Sequence, residues 1–398
     1  MGASRSGDYD FDFDIYDVCS LLDLKERRRT ANSMYVDCPF CNNGKKGKLN
    51  INFEHNVYRC NYNPEHSGGM LDLYARLHNI TMQDAYREIT ETLRVGGKQP
   101  MQRKPPAVSQ SQLASLDVRH QTYSMLLQSL FLTAKHKSSL LARGLTGEQI
   151  ERNGYASTPA YGYAQLAKQL QQSGCQLEGV PGFYRMENGE WTINFSPYCS
   201  GFLIPMRWID GRIQGIQIRL DRPIDDCKYI WLSSSDKRDG VSSGGPIHFV
   251  GNPQSRYVYV TEGGLKGDVT HAKCGCTMLC IAGVTQLGSV CEALQRLKTL
   301  GLTCIVEAND MDKYMSIDCL GDYGDKCADC AQRSQRIQTD ICPRKQQKRD
   351  NIQAGCRALH RLCAEEGLAC KQLVWDMAPD GQWAGNLKGI DDFQTQKC

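Results

Sequence analysis

The chain has 398 residues, enough for two or three domains, and its 41% hydrophobic and 23% charged residues are typical of an ordinary globular protein. No apolar run is long enough to cross a membrane and the acidic start does not resemble a signal peptide, so we expect a cytoplasmic protein. A net charge of +3 does not by itself indicate a nucleic-acid partner, and twenty cysteines without a secretion signal favour reduced thiols and metal ligands over disulfides.

The first predicted elements surround four potential metal ligands. A helix is predicted at residues 14–22, and the alternating residues 48–53 and 57–60 predict a β-hairpin. A Cys-Pro-Phe-Cys knuckle precedes the hairpin, and a cysteine and a histidine close it. This spacing is typical of a closed tetrahedral Zn²⁺ site with the ligands Cys38, Cys41, Cys60 and His66. The alternative is four unrelated buried residues, which the joint occurrence of knuckle, hairpin and closing pair disfavours.

Two further predicted helices, at residues 70–77 and 81–93, complete a zinc-binding domain over residues 1–95. Residues 96–115 contain Pro105-Pro106 and many Gln and Ser residues, which predicts a flexible linker.

Residues 116–250 form a second predicted domain that begins with helices and then becomes rich in strands. Residues 201–219 predict a β-hairpin whose turn is Asp210-Gly211. Residues 251–398 alternate strands with helices, which predicts a parallel α/β sheet. Its predicted strands are residues 256–261, 277–282, 303–307 and 369–375.

Acidic residues come after three of these predicted strands, in the segments that follow their carboxyl ends. Glu262 follows the first, Asp310 and Asp312 the third, and Asp391 and Asp392 the last. Because the carboxyl ends of parallel strands lie at one edge of a sheet, we expect these carboxylates to converge. Clustered carboxylates suit one or two Mg²⁺ or Mn²⁺ ions, which can bridge them to a phosphate. The alternative is a set of solvated loop carboxylates.

An insertion at residues 313–350 is rich in cysteine. Its knuckle Cys327-Ala-Asp-Cys330 could form a second, Cys₄ zinc site with Cys319 and Cys342, although the spacing is irregular. Such a site would place a basic run near nucleic acid. The run consists of Arg344, Lys345, Lys348 and Arg349.

The order of these motifs resembles that of the DnaG-type bacterial primases, in the divergent version found on phages and mobile elements. The stretch from Asp14 to Cys41 resembles the entrance to the family's zinc-binding domain, although Cys41 and His66 depart from its ligand order. Residues 261–268 and 309–312 resemble the two signatures of the TOPRIM fold, which primases share with topoisomerases and some nucleases. Lys266 stands where these primases often carry an acidic residue.

The resemblance implies a multi-domain α+β and α/β fold: a zinc-ribbon-like β-hairpin module, a mixed α+β subdomain and a TOPRIM-like parallel sheet. It implies metal-dependent catalysis at Glu262, Asp310 and Asp312, and synthesis of RNA primers on a single-stranded DNA template from nucleoside triphosphates. Segments resembling the family's Arg-Gly-Leu, hairpin and Lys-Tyr motifs supply candidates for binding template or nucleotide phosphates, together with the lysine of the first TOPRIM signature. These candidates are Arg143, Arg219, Lys228 and Lys266.

Two other classes of function remain open at this stage. One is a TOPRIM nuclease or topoisomerase, although 398 residues leave little room for the body that a topoisomerase needs. The other is a non-catalytic, zinc-dependent protein that binds single-stranded DNA during replication. No Gly-x-x-x-x-Gly-Lys-Ser/Thr loop occurs, so we expect any helicase to be a separate partner.

Overall fold

The computed structural model divides the chain into two compact units, Met1–Ser109 and Gln110–Cys398. Most of the predicted linker at 96–115 lies outside the described residues, and the domain boundaries predicted at residues 95, 115 and 250 stay predictions. Among the helices of the described ranges, none combines the length and the apolar character that a membrane span requires. The described residues are 13–30, 33–41, 45–63, 65–95, 111–196, 199–224, 227–235, 237–322, 327, 330 and 341–395.

The first unit is an antiparallel sheet with three helices. The sheet has the strand order β1-β2-β3-β4-β5. A capping box begins the first helix, because the Asp14 carboxylate accepts from the N–H of Asp17 and the Asp17 carboxylate from the N–H of Asp14. In chain order the elements are α1 (Ile15–Leu21), β1 (Glu26–Arg29), β2 (Ser33–Cys38), β3 (Lys45–Asn52), β4 (Val57–Cys60), β5 (Ser67–Gly69), α2 (Met70–His78) and α3 (Met82–Val95).

The predicted hairpin is present as β3 and β4, at the centre of this larger sheet. Leu49 and Ile51 on β3 are fully buried and alternate with residues that face solvent, so one face of the sheet covers the core. The sequence did not predict β1. Its residues, Glu26–Arg29, are almost all exposed and charged, so the strand lacks the apolar alternation by which strands are recognised.

The second unit begins with four helices and a sheet in the order β11-β10-β9-β6, beside a two-stranded ribbon of β7 and β8. The predicted hairpin is β9 and β10, and its turn contains Gly211 at φ +87°. The elements are α4 (Leu116–Gln128), α5 (Ala134–Leu141), α6 (Gly147–Asn153), β6 (Ala156–Ser157), α7 (Tyr163–Gln172), β7 (Phe183–Arg185), β8 (Trp191–Ile193), β9 (Gly201–Arg207), β10 (Ile213–Ile224) and β11 (Cys227–Trp231).

A second five-stranded sheet follows in the same unit, in the order β12-β14-β13-β15-β16. Four of its strands are parallel, and only the edge strand β12 is antiparallel to its neighbour. The predicted fold class is therefore confirmed. The elements are β12 (His248–Val250), β13 (Tyr257–Glu262), α8 (Gly264–Cys274), β14 (Met278–Ile281), α9 (Val290–Thr299), β15 (Cys304–Glu307), a 3₁₀ helix (Met311–Tyr314), α10 (Pro343–Glu365), β16 (Ala369–Gln372) and α11 (Ile390–Thr395).

Helix α10 begins at Pro343, inside the segment 313–350 that the sequence indicated as a cysteine-rich insertion. Proline is favoured at the first position of a helix, because its missing N–H would be unpaired there in any case. The basic run Arg344–Arg349 therefore lies on the first turns of α10. The polar composition of this run hides its helical periodicity from sequence analysis.

Helix α8 is fixed by a buried network around Asp268. The Tyr155 hydroxyl donates to one carboxylate oxygen of Asp268 at 2.5 Å, and Nε2 of His248 lies 2.9 Å from the other. The backbone N–H of Arg207 donates to Nδ1 of the same histidine at 3.0 Å. A Cβ on Gly264, in the first turn of α8, would lie 2.8 Å from the Met206 sulfur, so glycine allows α8 to pack closely against β9.

The 3₁₀ helix is held by a fully buried ion pair between Glu307 and Lys313, with Nζ–Oε distances of 3.0 and 3.1 Å. The same carboxylate accepts from the Asn309 backbone N–H and from the Gln372 amide. A buried ion pair is tolerated when further hydrogen bonds satisfy its oxygens, as they do here. Because Lys313 follows Asp312 directly, the pair also fixes the segment that carries the predicted Asp-x-Asp motif.

Candidate functional site

Three thiols and one imidazole form a compact cluster in the first unit. The ligand atoms of Cys38, Cys41, Cys60 and His66 all lie within 4.8 Å of one another. The Sγ atoms of Cys41 and Cys60 are 3.7 Å apart, and Nδ1 of His66 lies 3.4 Å from Cys41 Sγ and 3.8 Å from Cys38 Sγ. A tetrahedron with bonds of about 2.3 Å to sulfur has edges of about 3.8 Å. The donor set and its size therefore fit Zn²⁺.

Local backbone geometry orients the ligands of this cluster. Cys38 ends β2 and Cys60 ends β4, so the sheet itself brings two ligands together. The backbone N–H groups of Tyr62 and Asn63 donate to Cys60 Sγ at 3.3 and 3.4 Å. The neighbouring Cys38 thiol and these two N–H groups lower the pKa of Cys60, which favours the thiolate that binds metal. The Asn63 amide lies 3.3 Å from Nε2 of His66 and fixes its ring.

The second candidate site is the carboxyl edge of the parallel sheet in the second unit. Glu262 ends β13, and Asp310 and Asp312 follow the neighbouring strand β15. Nζ of Lys388 lies 3.5 Å from Asp310 and 3.1 Å from Asp312, so one ammonium group bridges the two carboxylates. Of the five acidic residues predicted to converge, Asp310 and Asp312 share one lysine, and Glu262 lies at the end of the neighbouring strand.

The carboxylates of this edge perturb one another. Burial and the nearby Asp310 carboxylate raise the pKa of Glu262 to about 7. Burial also opposes ionisation of Asp312, but the ammonium groups of Lys388 and Lys348 outweigh it and hold the pKa of Asp312 below its ordinary value. Lys348 lies 2.6 Å from Asp312 and comes from α10. The site thus holds one carboxylate that titrates near neutral pH beside one that stays ionised.

One atom of this edge is available to a cation. Asp312 is 3% exposed, and its Oδ1 has no hydrogen-bond partner among the described residues. A buried, unpaired carboxylate oxygen is costly unless a cation joins it, and Mg²⁺ and Mn²⁺ prefer oxygen ligands. The residues present therefore fit a divalent ion. Outside the Cys/His cluster, however, the described chain has no set of three or more such ligand atoms within 4.8 Å.

The structure gathers only some of the other predicted residues. Asp391 lies near Lys266, whereas Asp392 is exposed and accepts from the N–H of Gly389 at 2.9 Å. No ion pair between described residues joins Arg143, Arg219 or Lys228 to the acidic edge. Arg219 lies over the Phe202 ring at 5.7 Å, and Lys228 is exposed on β11. The roles predicted for these residues stay predictions.

The four cysteines predicted to form a second zinc site are all among the described residues. Cys342 is buried and its N–H donates to Ile317, while the Cys330 N–H donates to the Cys327 carbonyl at 3.3 Å, as in a knuckle. They do not form a group as compact as the first cluster. The second zinc stays a hypothesis, and a measured content of one zinc per chain would remove it.

Sequence reasoning did not predict the part that lysines play in this site. Lys348 was recognised only as one member of a basic run, and Lys388 was not singled out. Both lie on segments far along the chain from the carboxylates that they contact, Asp310 and Asp312. The sequence signal that could have found them is their position: Lys348 lies in the basic run of residues 344–349, and Lys388 lies three residues before Asp391.

We expect Cys60→Ser to abolish tight zinc binding and to unfold the first unit. A small module of this kind depends on metal for its folding, and zinc contributes an apparent 10–16 kcal/mol in comparable peptides, roughly. Zinc content by atomic absorption and the circular dichroism of the full chain would measure both effects. Cys19→Ser is the matched control, because Cys19 lies in the same unit but outside the cluster. Full zinc content in Cys60→Ser would contradict the assignment.

We expect Glu262→Gln to change the pH dependence of stability in protein free of Mg²⁺ and Mn²⁺. The folded-state pKa of about 7 exceeds the ordinary 4.5, so the stability gained from the protonated form is complete below pH 4.5 and lost as pH rises through 7. The variant stays neutral, so it should exceed wild type by about 2–3 kcal/mol at pH 8 and by little at pH 5. Urea unfolding at both pH values measures this.

The exposed Glu292 supplies the control for that measurement. Glu292→Gln, on the surface of α9, should show no such difference between the two pH values. An equal gain for Glu262→Gln at pH 5 and pH 8 would show that the Glu262 carboxylate does not titrate in this range.

No protein-family model matches the chain, and no curated protein matches it. Solved structures do. The zinc-binding and RNA polymerase domains of the Aquifex aeolicus primase match 97% of this chain and 80% of theirs, with 13% identity and a TM-score of 0.45. The RNA polymerase domain of Mycobacterium tuberculosis primase DnaG matches 50% of this chain and 67% of its own, with 16% identity and a TM-score of 0.38. A DNA primase domain from Pseudomonas aeruginosa matches 52% and 64%, with 20% identity and a TM-score of 0.35. These matches are to primase domains, each with a TM-score below 0.5.

Proposed function

We propose that the protein is a DNA primase, which synthesises short RNA primers on single-stranded DNA by metal-dependent nucleotidyl transfer. The observation that carries the proposal is the convergence of Glu262, Asp310 and Asp312 at the carboxyl ends of two neighbouring parallel strands. These motifs follow a zinc-type ligand cluster in the order that resembles the DnaG-type primases. Their divergence favours a role in phage or mobile-element replication.

Asp310 and Asp312 would hold Mg²⁺ or Mn²⁺, which supplies neutralisation of the charge that develops on the transferred phosphate. The buried Oδ1 of Asp312 is the strongest ligand candidate, because the described residues give it no other partner. Glu262 would either join the metal or position the attacking 3′-hydroxyl.

Basic residues around the acidic edge would bind the phosphates of the incoming nucleotide. The side chains of Lys388 and Lys348 are 49% and 39% exposed, so their ammonium groups can contact both Asp312 and a ligand from solvent. Arg143, Arg219 and Lys228 are further candidates to bind template or nucleotide. Holding the reacting groups in line is the main contribution that the chain makes to phosphoryl transfer.

The first unit presents a surface suited to single-stranded DNA. Strand pairing places one residue from each strand in a row across the sheet, on the face opposite the buried residues Leu49 and Ile51. Within the row, the Arg28 guanidinium lies 4.3 Å from the centre of the Tyr35 ring. Arginine and tyrosine side chains bind phosphates and stack on bases. The row, which we call the cross-strand row, consists of Arg28, Tyr35, Asn50, Arg59 and Ser67.

Two other functions remain as outcomes of experiment. A nuclease would use the same acidic edge to cut the template, and a binding protein would keep the zinc unit and the fold without catalysis. A replicative helicase, if one takes part, would be a separate chain.

We expect wild-type protein to make short products from labelled nucleoside triphosphates on single-stranded DNA with Mg²⁺ or Mn²⁺. Asp310→Asn should lower product formation by about a thousandfold or more, because the metal loses a charged ligand. Asp380→Asn is the matched control, since Asp380 is exposed in the same unit and away from the acidic edge. Gel electrophoresis of the labelled products measures the effect.

Other results would redirect the proposal. A cut template without nucleotide addition would identify a nuclease. DNA binding by the zinc-loaded wild type, with neither products nor cutting on varied templates, would identify a binding protein. Equal amounts of product from Asp310→Asn and wild type would show that the acidic edge does not catalyse primer synthesis.

We expect Arg59→Ala to weaken the binding of single-stranded DNA and to reduce its salt dependence. Each lost phosphate contact should lower the slope of log affinity against log salt by about 0.7. Arg87→Ala is the matched control, because Arg87 lies on α3 of the same unit and pairs with Asp84. Fluorescence anisotropy at several salt concentrations measures the slope. An unchanged slope in Arg59→Ala would exclude this arginine from the DNA-binding surface.

A further inference from the structure

Lys266 carries a positive charge inside the acidic edge, at a position where the local helix geometry disfavours one. It lies in the first turn of α8, where the helix dipole disfavours a positive charge. Its Nζ nevertheless forms an ion pair with Asp310, and both side chains are largely buried, at 18% and 16% exposed. Carboxylates around the ammonium group must therefore offset the cost of burying it there.

The surroundings of Lys266 are acidic on several sides. Asp310 contacts it from the loop after β15, Glu262 lies one turn back at the end of β13, and Asp391 lies near it at the start of α11. Gly389 makes room for it, because a Cβ there would lie 3.2 and 3.4 Å from Cε and Nζ of Lys266. The ammonium group thus lies among carboxylates from three elements, as a bound cation would.

The other two lysines of the site differ from Lys266 in exposure. Lys388 and Lys348 reach Asp312 from the rim, and their side chains are about half and two-fifths exposed. Each can move into solvent at small cost when a ligand arrives, whereas Lys266 is held between packed elements. Lys266 is therefore the fixed positive charge of the site, and the rim lysines are the exchangeable ones.

The unpaired ligand atom of the acidic edge lies on Asp312. Its Oδ1 is buried without a hydrogen-bond partner among the described residues, while its Oδ2 is shared by the two rim lysines. Enzymes that transfer nucleotides through two metals place the ions about 3.5–4 Å apart between shared carboxylates. Here one carboxylate of the Asp-x-Asp pair, Asp310, already contacts an ammonium group.

We propose that the ammonium group of Lys266 permanently occupies one of the two cation positions of the acidic edge, so that the chain binds a single divalent metal ion, at Asp312 and at Oδ2 of Asp310, from which the exchangeable Lys388 would withdraw. This inference rests on the proposed function, because it assumes that the edge binds metal for phosphoryl transfer. The lysine supplies one fixed positive charge where a second ion would supply two exchangeable ones. The enzyme would then respond to the concentration of one metal ion, without cooperativity.

The test counts bound Mn²⁺ on the zinc-loaded full chain, by the electron paramagnetic resonance signal of the free ion during titration. We expect about one Mn²⁺ per chain for wild type. Lys266→Asp should bind two, with the magnetic coupling between ions that a separation near 4 Å produces. Lys371→Asp is the matched control: it makes the same change of charge at an exposed position on β16 of the same unit, and it should still bind one.

A second, neutral variant at the same position tests the inference even where Lys266→Asp does not fold. Lys266→Gln should bind its first Mn²⁺ about tenfold more tightly than wild type or better, because a buried positive charge beside the ion has been removed. Circular dichroism of every variant confirms that the fold is retained. An unchanged affinity in folded Lys266→Gln would overturn the inference.

The outcomes separate this inference from the proposed function. Two Mn²⁺ per wild-type chain, or one in folded Lys266→Asp, would overturn the inference while primer synthesis could still stand. No Mn²⁺ on wild type at millimolar concentration would overturn both, since the acidic edge would then bind no metal. One ion on wild type and two on Lys266→Asp would establish the inference even if the reaction proved to be cleavage.

Discussion

Repulsion between carboxylates is the main constraint on the acidic edge in the second unit of this protein. The topology of the parallel sheet brings Glu262, Asp310 and Asp312 to one edge, where burial opposes the ionisation of Glu262 and Asp312. Ammonium groups from α8, α10 and the segment before α11 form ion pairs with Asp310 and Asp312 and so offset this negative charge. These three segments are distant from one another in the chain. Much of the surrounding structure serves to hold these elements in place. The Asp268 network fixes α8, and the Glu307–Lys313 pair fixes the segment with Asp312.

The charged groups of this site thus form two layers that differ in exposure. The inner layer is rigid, because its members are buried and held by packed helices and strands. The outer layer is formed by lysines that reach the site through half-exposed side chains and can exchange one anionic partner for another. A nucleotide carries several negative charges, so a site with this outer layer can accept it without first assembling new positive charge. The same lysines keep the carboxylates paired when no ligand is bound.

The sequence predicted those features that depend on local pattern. Alternation and turn residues located the hairpins at β3–β4 and β9–β10, and strand–helix alternation predicted the parallel sheet, so the acidic residues could be placed at its edge. Strand β1 and the first turns of α10 were not predicted, because runs of charged residues carry no periodicity. The ion pairs of Lys266, Lys348 and Lys388 could not be predicted either. They depend on how elements pack, which no local pattern encodes.

The cross-strand row suggests a second role for the zinc cluster, in addition to stabilising the fold: it would fix the register of the strands. Successive residues of a strand face opposite sides, so a slip of one residue between neighbours would turn the row into the core and bring buried residues to the surface. Cys38 ends β2 and Cys60 ends β4, on either side of β3. An ion bound to both would lock the two flanking strands to one another, and β3 with them. The bound metal would then fix the register of these strands. Strand register in turn determines whether Tyr35 and Arg59 lie on the exposed face of the sheet, where they could contact a nucleic acid.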